Sequence, residues 1–175
     1  MKEKRGDLQI SFGFIFSVIL IIIFVAFAFY VIDKFLETSD CGKEGVFKDD
    51  LQKAVDRAWN SQETKEKFVG ELPRSIEEVC FVDFNKDALP PTQEKKLDEI
   101  KFYADTNDNL AFLSEDDGEY TLDKSCMKSI KIEHLDIDTT TNSENPFCIK
   151  KYDDKRFHMI IKKDFEDTLV KVEKI

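Results

Sequence analysis

Hydrophobic and polar positions divide this chain into two textures. From Phe12 to Ile32 no residue is charged, and nothing is more polar than Gly13, Ser17 and Tyr30. At ~1.5 Å per residue the run makes a helix of roughly 31 Å, close to the ~30 Å hydrocarbon thickness of a bilayer. Its apolar residues lie on every face, as lipid requires and as the core helix of a small domain does not.

Beyond it the pattern becomes periodic. Phe47, Leu51, Ala54, Val55, Ala58 and Trp59 follow the spacing of one helical stripe, which predicts an amphipathic helix ending at Trp59 as a core anchor. Asn60 to Lys67 reads as a polar connection. The run Val79-Cys80-Phe81-Val82-Asp83-Phe84 predicts a buried strand carrying Cys80. Pro90-Pro91 opens a second helix, with Leu97, Ile100 and Tyr103 as a narrow stripe that suits a helix lying across a sheet.

From Asn109 onward short strand-like runs alternate with turn residues: Leu110 to Leu113, Glu119 to Leu122, Ser129 to Ile137, Phe147 to Tyr152, Arg156 to Lys162 and Thr168 to Val172. Asp153-Asp154-Lys155 predicts a hairpin with Cys148 in a paired strand, and the Thr- and Asn-rich segment Asp138 to Asn145 an exposed loop. Helices first and strands afterwards give an α+β class: an N-terminal transmembrane helix, then a small domain of two helices and a mostly antiparallel β-sheet. The expected divisions are an N-terminal segment 1–11, a spanning helix 12–32, a juxtamembrane linker 33–40 and a domain 41–175.

Charge sets the expected orientation. Lys2, Lys4 and Arg5 precede the apolar run, and basic residues beside a spanning helix are preferentially retained in the cytoplasm. Asp33, Lys34, Glu37 and Asp40 on the other side offer no competing signal. The reading is a single-pass protein of the cell membrane, with its N-terminus cytoplasmic and its C-terminal domain extracytoplasmic. The rival is a cleaved secretory signal, because Ala26-Phe27-Ala28 has the small-x-small form of a cleavage site; Phe29-Tyr30-Val31-Ile32 continues the apolar run past it. The net charge is −10, a field that disfavours nucleic acid and anionic lipid as partners of the soluble part. Cys41, Cys80, Cys126 and Cys148 are widely spaced, with no C-x-x-C pair. On the external side they predict two disulfides, with three connectivities open.

The segment Lys4-Arg5-Gly6, then Gln9-Ile10-Ser11 and the apolar helix, resembles the class III signal segments of archaeal type IV pilin-like proteins. In that family a basic and a small residue precede the cleavage point, and a Gln-x-Ser triplet begins the mature helix. Here Asp7-Leu8 separates the two halves of the motif, and Gly13 stands where many pilin helices have Glu. The arrangement Cys41, Phe47 to Gln62, Leu72-Pro73 and Val79-Cys80-Phe81 resembles single-pass archaeal surface proteins. The resemblance implies an anchored surface domain or a filament subunit whose helix packs with copies of itself.

Candidate chemistry is sparse. Asp83-x-Asn85-x-Asp87 with Glu94 as twelfth residue has the oxygen-ligand spacing of a Ca²⁺ loop, although Ala88 replaces the glycine of the sixth position and Pro90-Pro91 stiffens the second half. Asp105-x-Asn107-x-Asn109 repeats the opening. Solvated turns are the competing reading of both. His134 and His158 fall in strand-like segments without obvious metal partners. No nucleophile elbow or phosphate loop is present, and 36 acidic residues single out no catalytic pair. These observations predict a non-catalytic, membrane-anchored extracytoplasmic module of the cell surface. Its partners would be the lipid bilayer and either copies of itself or other surface proteins, not nucleic acid. A pilin-like filament subunit and an extracytoplasmic enzyme are the alternatives.

Overall fold

The structure is a computed structural model, and it describes residues 12–116, 119–122 and 126–175. The Lys4 to Ser11 motif and the basic residues before it lie outside the described residues. The chain divides into two units, Met1–Thr38 and Ser39–Ile175.

In the first unit the described residues are helical. They belong to α1, which spans Phe12–Trp59, so residues 33–40, read as a linker, are helical too. The apolar side chains from Phe14 to Leu36 are exposed. An 18-residue window has a mean hydropathy of 3.1 and none of it is buried. By length and composition this helix can cross a membrane.

The second unit is α+β. Its strands are β1 (Thr64–Gly70), β2 (Ile76–Phe81), β3 (Leu110–Asp116), β4 (Glu119–Leu122), β5 (Ser129–Ile130), β6 (Phe147–Lys150), β7 (Phe157–Lys163) and β8 (Lys171–Lys174). After a 3-10 turn at Pro91–Gln93, α2 runs Glu94–Tyr103, and α3 is a single turn at Ile137–Thr140. Two antiparallel sheets form. One has the order β1-β7-β8; the other has β4-β3-β2-β6, with β5 also paired to β3.

The stripe read from sequence makes the main core. Phe47, Leu51, Ala54, Val55 and Ala58 of α1 meet Phe68, Phe157, Met159 and Ile161 of the first sheet and Val79, Phe81, Phe112 and Ile149 of the second. Phe47 sits at its centre, edge-on to Phe68, Phe112 and Phe157. Trp59 lies outside this core: it is 39% exposed and stacks on His134 at 3.8 Å. The other face of the second sheet is covered by α2, where Leu97 and Ile100 pack on Cys80, Val82, Ala111, Leu113 and Cys148. β2 serves both faces by alternation, and a bulge between Ile76 and Glu78 shifts its phase. It moves Ile76 to the side of Val79 and Phe81 and leaves Glu78 on the side of Cys80.

The four cysteines form two disulfides, Cys41–Cys126 and Cys80–Cys148. The first ties α1 to the segment before β5. Glu44, one helical turn after Cys41, accepts the Met127 N–H at 2.7 Å and fastens the same segment again. The second disulfide crosses directly between paired positions of β2 and β6.

Several expected elements differ. Thr64–Gly70, read mostly as a polar connection, is an edge strand whose buried side is only Phe68 and Gly70. The expected strand Ser129 to Ile137 stops at Ile130, because the Asn109 side chain takes both the N–H and the carbonyl of Ile132 and His134 turns the chain at φ 64°. Asp138 to Asn145 is not an exposed loop: Asp136 caps α3 through the Thr139 N–H, and Thr140, Thr141 and Asn145 are buried. Asp153 to Lys155 does form a tight turn, closed by Tyr152 and Arg156, but β6 and β7 on either side belong to different sheets. No hairpin joins them.

Candidate functional site

The cross-strand register of β2 and β6 builds the most concentrated polar site among the described residues. Cys80 faces Cys148 and Glu78 faces Lys150, and the two-residue period puts both pairs on the face covered by α2. Glu78 is therefore carried into the interior with its charge, its side chain only 2% exposed. Such a group is tolerated only when paired. Lys96 of α2 supplies the partner, its Nζ 2.6 Å from Glu78 Oε2, and Lys150 Nζ lies 3.6 Å from Oε1.

Tyr120 of β4 completes the cluster. Lys96 Nζ stands 3.9 Å from its ring centroid, and Lys150 donates to its hydroxyl at 3.3 Å. Burial, reinforced by the Glu78 charge, raises the Tyr120 pKa above its ordinary value against the opposing pull of Lys150. The hydrogen bond to Tyr120, followed by the attraction of Glu78, raises that of Lys150. A cleft of about 470 Å³ leads from Glu78, Lys96 and Lys150 along β6 to Tyr152, His158 and Lys174. At its far end His158 Nε2 lies 2.8 Å from Asp154 Oδ2 and the ring rests on Tyr152. Burial pushes the Asp154 carboxyl upward, but the Arg156 N–H, His158 and the Arg156 side chain outweigh it and hold the pKa below the usual value.

This cluster can hold a helix to a sheet and present two ammonium groups and a phenol to a polar ligand. Glu78, Cys80 and Cys148 also bring three ligand atoms within 4.8 Å, the only such group among the described residues. It does not fit a metal ion as it stands. The two sulfurs are bonded to each other, so neither is the thiolate that a soft cation needs.

Of the residues expected to form a Ca²⁺ loop, Asp83 is engaged locally. Asp83 Oδ1 accepts the Asn85 N–H in an Asx turn, and its other oxygen is 3.8 Å from Lys86 Nζ. Asp87 and Glu94 line a separate hollow with Asp98 and Lys101. Asp83, Asp87 and Glu94 do not gather into one ligand group. The loop is organised instead by Asn145, whose Oδ1 accepts the Asp83 N–H while Nδ2 donates to the carbonyls of Asp83 and Asp87, each at 3.1 Å. In the second motif Asp105 accepts the Asn107 N–H, again an Asx turn, and Asn109 is the clamp on Ile132.

Glu78, Lys96, Tyr120 and Asn145 are the residues that sequence reasoning passes over. One signal was present: Glu78 and Lys150 each stand two positions from a cysteine, so pairing Cys80 with Cys148 places those charges opposite each other. Nothing comparable marks Asn145. Comparison with protein-family models, with curated proteins and with solved structures finds no match. The chain is thus defined by its build: an apolar helix suited to membrane anchoring or secretion, and a disulfide-bonded α+β domain.

Proposed function

We propose that this protein is a single-pass membrane protein, N-terminus cytoplasmic, that displays its α+β domain on the extracytoplasmic face as a non-catalytic structural or interaction module. The observation that carries the reading is the pair of disulfides, both formed by cysteines that follow the apolar helix. Disulfides persist in oxidising compartments, and the basic residues before the helix favour the matching orientation. Support for a non-catalytic role comes from the Glu78 cluster, whose charged groups are engaged with one another in joining α2 to the second sheet.

The test is intact-mass analysis of the full chain from its membrane under non-reducing conditions, with thiol alkylation before and after reduction. An uncut chain lighter than its reduced form by four hydrogens, with no thiol labelled before reduction, is the expected result. Four thiols labelled without reductant would overturn the external placement. A chain beginning near Asp7 or Gln9 would favour the filament-subunit reading suggested by the pilin-like N-terminus.

A further inference from the structure

The chain is acidic overall, yet one cleft has the opposite sign. It has a volume of about 810 Å³ and opens between Lys43 of α1, the connection from β1 to β2, and the turn between β6 and β7. Five cationic side chains line it, Lys43, Arg74, Lys151, Lys155 and Arg156, against the carboxylates of Glu71, Glu77 and Asp154.

Hydrogen-bond accounting shows that these charges do not cancel. Lys151, only 11% exposed, is fixed in the wall by the Glu77 carboxylate at 2.9 Å and the Arg74 carbonyl at 3.0 Å, which leaves one of its three protons uncommitted. Asp154 is consumed by Arg156 and His158, and the Arg156 guanidinium keeps N–H groups to spare. Lys43 pairs with Asp40 at 3.6 Å. The side chains of Arg74 and Lys155 make no ion pair or hydrogen bond among the described residues, and neither does Glu71. Two whole cations and several spare donors therefore face one free carboxylate.

We infer that this cleft binds an oxyanion of the phosphate type. A planar guanidinium and ammonium groups around a shared hollow match an acceptor that offers several oxygens at once, and the fork of Arg74 suits two of them in parallel. The cleft has room for the anion to be one group of a larger molecule. Two sources share this chemistry: the headgroup of an anionic lipid and a phosphate on a soluble or surface molecule. Lys43 follows Ile32 by only eleven residues, so the lipid arm belongs in the test.

The experiment places the full chain in nanodiscs of neutral phosphatidylcholine and titrates inorganic pyrophosphate by calorimetry. Saturable, salt-sensitive binding is expected, weakened at least about tenfold by the double substitution Arg74→Ala/Lys155→Ala. The control Lys53→Ala/Lys65→Ala, on exposed lysines outside the cleft, should bind as the unsubstituted chain does. Protection of Lys155 from amine acetylation by pyrophosphate reads the same site without any substitution. In discs containing phosphatidylglycerol, a fall in pyrophosphate affinity with protection of Lys155 assigns the cleft to lipid headgroups; undiminished affinity assigns it to a non-lipid phosphate. Absence of saturable binding in neutral discs together with an unprotected Lys155 in both kinds of disc would overturn the inference. So would equal affinity in the Arg74→Ala/Lys155→Ala chain.

Discussion

A single methyl group at Gly70 tests the packing that joins α1 to both sheets. A Cβ built there would lie 2.4 and 2.5 Å from two carbons of the Phe47 ring and 2.9 Å from the Phe68 ring. Phe47 has nowhere to retreat, since it is 1% exposed and held by three aromatic neighbours with centroids 5.6 to 6.3 Å away. Overpacking of this kind costs about 1–3 kcal/mol, whereas the lower unfolded-state entropy of alanine returns only ~0.4–1 kcal/mol, so the clash wins. Gly70→Ala should destabilise by about 2 kcal/mol.

The cause is isolated in a second background. Phe47→Leu removes the ring edge that the added methyl would strike and by itself costs about 1–2 kcal/mol of lost core contact. Adding Gly70→Ala to it should cost clearly less, because only the contact with the Phe68 ring at 2.9 Å remains, a coupling of about 1 kcal/mol or more between the two sites. Urea unfolding of the full chain in nonionic micelles, followed by the fluorescence of the single tryptophan Trp59 on its His134 platform, reads both changes. With a slope of about 2 kcal/mol per molar urea, the first substitution should lower the midpoint by about 1 M. An unchanged midpoint, or the same shift in both backgrounds, would refute the packing argument.

Three further outcomes follow. Glu78→Gln strands the partly buried Lys96 ammonium and should cost about 2–3 kcal/mol, while Glu78→Leu/Lys96→Met should restore most of it; the same urea assay compares them. Asn145→Asp turns an amide donor toward the carbonyls of Asp83 and Asp87 into an acceptor, and should lower the urea midpoint by about 1 M or more, with greater amide exchange over residues 83–87. Asp154 and Asp167 are held below their ordinary carboxyl pKa. Opposed by burial, contacts from Arg156 and His158 act on Asp154, while Lys171 is the chief influence on Asp167. Their contribution is full above the unfolded-state value near 3.8 and is lost as pH falls through the lower folded-state values. Carboxyl NMR titration should find both groups more than half ionised at the pH where an aspartate of the unfolded chain is half protonated.

What the sequence reveals here depends on whether a residue answers to its neighbours along the chain or to partners far from it. The stripe Phe47, Leu51, Ala54, Val55, Ala58 is repeated every helical turn, so it was legible, and each of the five is buried. Its apparent sixth member, Trp59, is not, because the helix ends there and the indole finds His134, 75 positions on and held at φ 64°. The strand β1 was missed for the opposite reason. Lys65, Glu66 and Lys67 show no apolar alternation because this half of the strand carries charges on both faces of an edge, and the strand exists because β7 pairs with it from Thr64 to Gly70. The Asp and Asn motifs near residues 83 and 105 were visible as oxygen-rich loops, yet their Asx turns are completed or continued by Asn145 and by Ile132, which local spacing cannot announce.

The disulfide pairing adds a covalent restraint to the two apolar clusters of this acidic domain. In chain order the bridges interleave: Cys80 lies within the loop closed by Cys41–Cys126, and Cys148 lies beyond it. Their sequence separations, 85 and 68, would each remove about 4–5 kcal/mol of unfolded-chain entropy if alone. Because the two loops share residues 80 to 126, the second bridge adds less than its solitary value, and loss of either leaves the other still restraining most of the same chain. Placement matters more than the sum. Cys80–Cys148 locks the edge strand β6 to its only partner in the second sheet, β2, while Cys41–Cys126 closes the domain almost at the residue where it begins, with the Glu44 to Met127 hydrogen bond one turn further on. A pull arriving along the chain through Asp40 meets a covalent bond before it meets any packed side chain. The helix from Phe47 to Ala58 would otherwise peel from the core one turn at a time.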